Sequence, residues 1–408
     1  GVTGTVHALV VLPGGDVFVG GEIGAVEGAE GPLSVSGIAR WSGTSWAPLG
    51  AAISGSVYAL ATMTNGDLIA AGSITAAGGL AVNDVARWNG SSWVSMGFGA
   101  AGNAGVNALA VLPGGDVVAG GRFIAGGDPR ANGIARWNGQ SWFPLGTGLG
   151  GVLPSVSALA VLPNGDLVAG GSFTSVDGVA ANSIARWNGS SWAPLGAGVT
   201  GGGVHALAVL PSGDIIAGGL FTTAGGVAAS GIARWNGASW SALGTGMGGV
   251  FPWVYALAVM PNGDLIAGGK FTTAGGGAAN SIARWNGTSW APLGSGMDLT
   301  VNALAVLPNG DLVAGGVFFT AGGVPANSIA RWNGSSWAPL GAGIAGGPVN
   351  VLSVLPGGDV MMGGSFLFAG GRVAASLARY TFGAPPPAIT TQPSSLTICR
   401  SVFMPFSV

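Results

Sequence analysis

The sequence predicts an all-β fold, an eight-bladed β-propeller of four-stranded antiparallel blades, on three observations. One passage, typified by VNALAVLPNGDLVAGG, a glycine-rich stretch and NSIARWNGSSWAPLG, recurs eight times with small changes. An Asp marks each copy, at Asp16, Asp67, Asp116, Asp166, Asp214, Asp264, Asp311 and Asp359, at intervals of 47 to 51 residues. Each copy holds several short apolar runs separated by Pro, Asn and Gly. A period of that length with several short strands per copy is the mark of a blade-built repeat protein. Helix has no support, because Gly, Pro and β-branched residues dominate and no 3.6-residue period persists.

The fourth copy shows each element in turn. Ser157 to Leu162 reads as a first strand that stops at Pro163-Asn164-Gly165. Asn-Gly suggests a tight hairpin with two positive-φ residues, and Pro ends the ladder before it. Asp166 to Gly171 returns as the second strand, and Ser172 to Asn182 reads as a loop. Ser183 to Trp187 is the third strand, Asn188-Gly189 a second hairpin, and Trp192 to Gly196 the fourth strand. Both hairpins then fall on one face, and the longer connections fall on the other. From Asp to Arg the spacing is 20 residues in seven copies and 24 in the first, where Glu27 to Pro32 holds an insertion. From each Arg to the next Asp it varies between 27 and 30. Length variation therefore collects on the open-loop face, the usual binding face of a repeat protein.

Seven copies carry all four strands, whereas the eighth stops after its third, at Arg379-Tyr380. The expected final blade has three strands, and its missing outer strand is expected immediately upstream of Gly1. The chain begins with Gly rather than Met, which suggests a processed form or a fragment. Residues 1–383 form the propeller in this reading. From residue 384 the composition changes, with Pro385-Pro386-Pro387 as a stiff extended linker.

Two stretches resemble known families. The Gly pair closing the second strand, the aromatic Trp187 and the Trp192 five residues later resemble the Kelch-type repeat, and the resemblance covers Val6 to Tyr380. Kelch blades more often carry Tyr where this chain has its first Trp. The resemblance implies a β-propeller and leaves function open, because such propellers serve both as binding modules and as enzymes. Ala388 to Ser395 with Cys399 resembles the opening of a bacterial immunoglobulin-like domain, truncated within 384–408.

Composition narrows the function classes. Of 408 residues 81 are Gly and only 7% are charged, with a net charge of −2. No basic field exists to attract a phosphate backbone, so nucleic-acid binding has little support. No apolar run approaches the ~18 residues of a membrane-spanning helix. One Cys excludes a disulfide framework and thiolate metal sites. A single Lys, at Lys270, with abundant Gly, Ala, Ser and Thr points to an exported bacterial protein, secreted or at the cell surface.

Most conspicuous side chains belong to the scaffold. Each copy supplies one Asp and one Arg, expected to form a cross-strand ion pair in each blade. Fourteen of the 15 Trp fall in seven pairs, Trp41/Trp46 through Trp332/Trp337, assigned to blade packing. The Asn-Gly turns account for four sequons, at Asn89, Asn188, Asn286 and Asn333.

One position departs from the repeat. It reads His7, Tyr58, Asn107, Ser157, His205, Tyr255, Asn302 and Asn350, and it is placed at the mouth of the central channel. Two His and two Tyr resemble the copper ligands of the Kelch-type galactose oxidases, but the Cys of such a site is missing. The favoured assignment is a polar channel lining with ordered water. Asp84, Asp128, Asp177 and Asp298 are too scattered to pair for glycoside cleavage. No catalytic, metal or cofactor site is assigned.

The expected function is a non-catalytic extracellular binding or adhesion propeller with a carbohydrate or protein ligand on the open-loop face. Candidate contacts are Arg122, Asp128 and Arg130 on the third blade, Phe251, Trp253 and Tyr255 around the sixth, and Lys270 beyond them. Trp253, the one Trp outside the pairs and next to Pro252, is the leading candidate. A metal-dependent oxidase-like enzyme at the channel mouth and a purely structural surface module are the alternatives.

Overall fold

The computed structural model describes residues 1–28, 31–97, 105–125 and 128–382. Within them the chain is all-β with a propeller-like fold, a succession of antiparallel sheets whose strands follow chain order. The fourth sheet runs Ser155–Val161, Leu167–Ser172, Ile184–Trp187 and Trp192–Pro194 from inside to outside. Among the described residues seven sheets follow this four-strand path. An eighth has three strands, Val349–Val354, Val360–Gly364 and Leu377–Tyr380. The readings made for 384–408 and Cys399 lie outside the described residues.

The core lies between sheets. Second strands such as Leu167 to Gly171 are buried at every residue, because both of their faces meet a neighbouring sheet. First strands are half-buried. A typical interface joins Leu162, Val168, Ile184 and Leu195 of the fourth sheet to Val204, Ile215, Phe221 and Trp235 of the fifth. Each such side chain contributes about 1.5–3 kcal/mol on burial. The eighth sheet meets the first in the same manner, with Leu355, Met361 and Leu377 against Val2, Val6, Val17 and Val19. The Val2 amide also donates to the Ala375 carbonyl at 2.6 Å.

The first-to-second strand turn differs from the sequence reading in its backbone. Gly165 has φ 88, whereas Asn164 is not among the positive-φ residues. Gly165 N–H donates to Leu162 O at 2.9 Å and Leu162 N–H to Asp166 O at 2.8 Å. This is a turn with Pro163 at its second position, followed by a left-handed Gly bulge. Pro supplies φ near −65° there, so only one residue needs Gly's freedom.

Two adjacent glycines close seven of the eight second strands, the second sheet having Ala71-Gly72, and the two positions are small for different reasons. A Cβ on Gly170 would stand 2.6 Å from Val204 Cγ1 of the next sheet. The first Gly of the pair therefore lets neighbouring sheets close up. A Cβ on Gly171 would collide with the Ser155 carbonyl oxygen on its own partner strand. The register explains why: Val156 faces Gly171 and Ala158 faces Gly170, so Ser157 is an extra, bulged residue. The same shift brackets His7, Tyr58, Asn107, His205, Tyr255, Asn302 and Asn350. Bulges re-aim side chains, and this one takes the departing series of residues out of the alternation of its strand.

The stretch read as a loop between second and third strands is instead a small β-hairpin. In the fourth sheet Ser175–Val176 pairs with Val179–Ala180, and Leu149–Gly150 of the preceding connection adds a third strand. Similar miniature sheets stand over the fifth, sixth and eighth sheets. In the first sheet the insertion lengthens this hairpin, pairing Glu27 with Pro32 and Gly28 with Gly31. The open-loop face is thus a crown of hairpins.

The Asp and Arg of each sheet form an ion pair. Asp166 is buried and accepts from Arg186 Nε at 2.6 Å and from Asn164 Nδ2 at 2.9 Å. Arg186 is part-exposed. Removing the carboxylate leaves a half-buried guanidinium and a turn amide without their acceptor, so Asp166→Ala is expected to cost about 1–3 kcal/mol. Urea denaturation measures that cost.

The Trp pairs pack within and between sheets. Trp187 and Trp192 lie opposite each other at 5.5 Å between centroids. The Trp192 indole then donates to the carbonyl of Leu145 in the third sheet at 2.9 Å.

Candidate functional site

Four of the bulged residues, His7, Tyr58, His205 and Tyr255, fall in two separate groups. In the first, His7 meets Tyr58 edge-on at 5.5 Å between ring centroids. His7 Nε2 lies 3.8 Å from Glu22 Oε1, and Ser56 Oγ donates to the same oxygen at 3.3 Å. Ser73 Oγ donates to the Tyr58 hydroxyl at 3.3 Å. Carboxylate, imidazole, phenol and hydroxyls thus form one polar patch across the first and second sheets.

The second group is aromatic. Trp253 stacks on His205 of the preceding sheet at 4.9 Å and 22° between planes. Tyr255, next but one along the same strand, tilts against Trp253 at 5.3 Å. Burial pushes the His205 imidazole below its usual pKa and the Tyr255 phenol above its own. Burial thus favours the uncharged form of each ring. Lys270 is Trp253's partner across the ladder, and it is exposed. A flat, uncharged ring surface with one ammonium at its side can stack on a sugar or an apolar side chain.

The remaining predicted residues are dispersed. Asn107 and Asn302 donate through Nδ2 to Val156 O at 3.4 Å and Val349 O at 3.3 Å, which ties them to the next sheet. Arg122 is exposed on the second strand of the third sheet, with its amide bonded to Gly105 O. Asp128 caps a single helical turn, Pro129–Ala131, and binds Arg130 at 2.8 Å. That pair neutralises itself, and the pull of Arg130 keeps the Asp128 carboxyl below its usual pKa. Phe251 stands 70% exposed at φ 55, at the tip of the connection that leads into Trp253. Among the described residues no three His, Cys, Asp or Glu side chains converge as a metal would require.

Sequence reasoning missed three features of this face. Val152, 95% exposed, and Leu153 form a second apolar tip like Val250 and Phe251. The repeated Gly-Val-x-Pro around them was the available signal. Below Val152 lies a cleft of about 300 Å³ between the fourth and fifth sheets, lined by Thr174, Asn182, Ser183 and Thr200. The crown hairpins also expose Leu80, Val179, Val227 and Val324.

Comparison with known proteins concerns mainly the fold. Residues 162–190 match the family model described as a domain of unknown function (DUF5122) beta-propeller. None of the curated proteins matches the sequence. Similar solved structures include the WD40 beta propeller domain of Doa1, at 13% identity and TM-score 0.46, covering 90% of this chain and 91% of that one. A catalytically inactive virginiamycin B lyase from Staphylococcus aureus with quinupristin is similar at 10% identity and TM-score 0.42, over 75% of this chain and 90% of the lyase. PorZ, a surface component of the type-IX secretion system of Porphyromonas gingivalis, is similar at 14% identity and TM-score 0.41, over 91% of this chain and 57% of PorZ.

Proposed function

We propose that this chain is a non-catalytic binding or adhesion module: an eight-bladed, Kelch-type propeller, exported by a bacterium, that holds a carbohydrate on its open-loop face. The eight interfaces, each built on the same Gly-against-Val contact or its close variant, support a closed ring. Gly363 meets Val6 as Gly170 meets Val204. The residues of 1–383 form that ring in this reading, with a separate unit following from residue 384.

The stacked Trp253 carries the ligand assignment. It is a half-exposed indole fixed between His205 and Tyr255, two residues after the exposed Phe251 and across the ladder from Lys270. A preorganised ring of that kind loses little conformational freedom when a sugar stacks on it. The oxidase-like alternative would draw its ligands from His7, Tyr58, His205 and Tyr255. Tyr58 packs with His7, while Tyr255 packs with the Trp253–His205 stack, so these four side chains stand in two separate groups.

Glycan-array screening of wild type and Trp253→Ala tests the proposal. A carbohydrate hit is expected to weaken at least about tenfold in the variant, about 1.4 kcal/mol. Circular dichroism checks that the variant keeps its strands. Equal binding by both proteins removes Trp253 from the site. Binding only to protein partners in a parallel pull-down replaces carbohydrate by protein as the ligand.

A further inference from the structure

The sixth sheet joins an aromatic ring and a cation at a register where the other described sheets do not. Trp253 and Lys270 face each other across its first two strands. At the same place Thr5 faces Glu22, Ser56 faces Ser73 and Ser155 faces Ser172. In the third and fifth sheets the matching amides of Arg122 and Leu220 bond to glycine carbonyls, at Gly105 and Gly203. Directly opposed residues of an antiparallel pair stand on one side of the sheet, with Cβ atoms about 4.5–5.5 Å apart. The exposed lysine stem therefore rises beside the indole, and its ammonium can meet whatever stacks on the ring.

That positive charge is uncompensated. Between residues 199 and 297 the other charged side chains are Asp214, Arg234, Asp264 and Arg284, and they form the two repeat ion pairs. Lys270 enters no ion pair among the described residues. The next carboxylate along the chain, Asp298, accepts from the Phe319 and Thr320 amides at 2.9 and 3.0 Å. Burial favours the uncharged form of His205 beneath the indole. The two sheets that build the ring stack thus keep one net positive charge, and it rests on the ammonium.

Ring and charge make different demands on a ligand. The indole takes a flat face of C–H groups, which a pyranose with equatorial substituents provides. The substituents of a stacked sugar then point outward along its rim, on the side where the ammonium stands. Water replaces a neutral hydroxyl at an exposed ammonium with little loss, whereas a charge-assisted bond to an anion is about twice as strong. Lys is a compact point charge with three rotatable donors, so it suits one anionic group without fixing a two-pronged geometry.

We propose that the Trp253 site takes an acidic sugar, a pyranose whose rim bears a carboxylate or a sulfate ester, and that Lys270 is the residue that selects it. The inference rests on Trp253 being a carbohydrate platform and adds the class of sugar. The sugar stacks on the indole, and Lys270 Nζ donates to the anion at its rim. A lone charge steers little at a distance, so it acts at contact, by slowing dissociation.

Titration calorimetry of the whole chain tests this with a matched pair of probes, β-linked triglucuronate and cellotriose, which differ only in carboxylates that replace hydroxymethyl groups. The wild type is expected to bind triglucuronate at least about fivefold more tightly than cellotriose. Lys270→Gln is expected to remove that preference and leave cellotriose affinity unchanged, and Lys270→Arg to keep most of it. A sulfated cellotriose that also binds more tightly than cellotriose supports selection by charge. Equal affinity for triglucuronate and cellotriose, or a Lys270→Gln loss shared by both, would overturn the selection of acidic sugars and leave Trp253 a platform for neutral ones. Triglucuronate binding that survives Trp253→Ala, or no binding of either probe at millimolar concentration, would overturn the platform itself and this proposal with it.

Discussion

Gly171→Ala is expected to abolish cooperative folding or to cost more than about 3 kcal/mol. Its Cβ has nowhere to go, because the Ser155 carbonyl and the Val156 Cα, 2.8 Å from that position, are backbone atoms of the paired strand. Relief would require flattening the bulge at Ser157, which would shift the register of the innermost strand and turn its apolar residues over. Gly170→Ala is the informative partner. Its clash is with the end of the Val204 side chain, and Ala71 already stands at the matching place in the second sheet. That variant is expected to fold and to lose only about 1–3 kcal/mol. Urea denaturation followed by tryptophan fluorescence separates the two outcomes. Similar costs for both variants would show that the bulge is not what demands the second glycine.

Asp84→Gly is expected to stabilise the protein by about 1–3 kcal/mol at pH 7. Asp84 is buried at φ 62, a left-handed position filled elsewhere by Gly37, Gly133, Gly231 and by serines such as Ser183 and Ser281. Burial raises its carboxyl from 3.8 to about 6, against a smaller opposing effect of the bond to the Ile74 backbone. Folding therefore favours the protonated acid. In the wild type this group's contribution to stability grows as pH falls from about 6 towards 4, and is lost above the folded pKa. Glycine removes both the buried charge and the backbone strain while keeping the amide-to-Ile74 bond at 2.8 Å. Denaturation at pH 7 and pH 5 should show a larger gain at the higher pH. An equal gain at both would trace the effect to backbone strain alone.

The parts of this fold that could be read from sequence are those fixed by local pattern. The four apolar runs of each copy, the turn glycines and the three-strand eighth copy depend on residues next to one another. The crown hairpins escaped notice because Thr-Ala-Gly-Gly-Val-Ala is short, small and without alternation. The bulge was visible only as a variable position, since a register shift belongs to two strands at once. Trp253 could be singled out because it breaks the repeat. Its stacking on His205 could not, because contacts between sheets depend on the spacing and twist of whole sheets. The pairing of His7 with Tyr58 rather than with the distant His205 was hidden for the same reason.

The repeated ion pairs have a consequence for how this molecule meets others. Sixteen of its 28 charged residues are the Asp and Arg of the repeats, each held against its opposite within one sheet. Outside those pairs Glu22, Arg122 and Lys270 stand on different sheets and set up no single-signed field. A partner of the proposed binding module would meet no long-range field that fixes its orientation during approach. In the binding role proposed above, capture depends on direct contact with the open-loop face, at rates that ionic strength barely changes. A binding module of that kind is expected to capture its ligand equally well in fresh water and in brine.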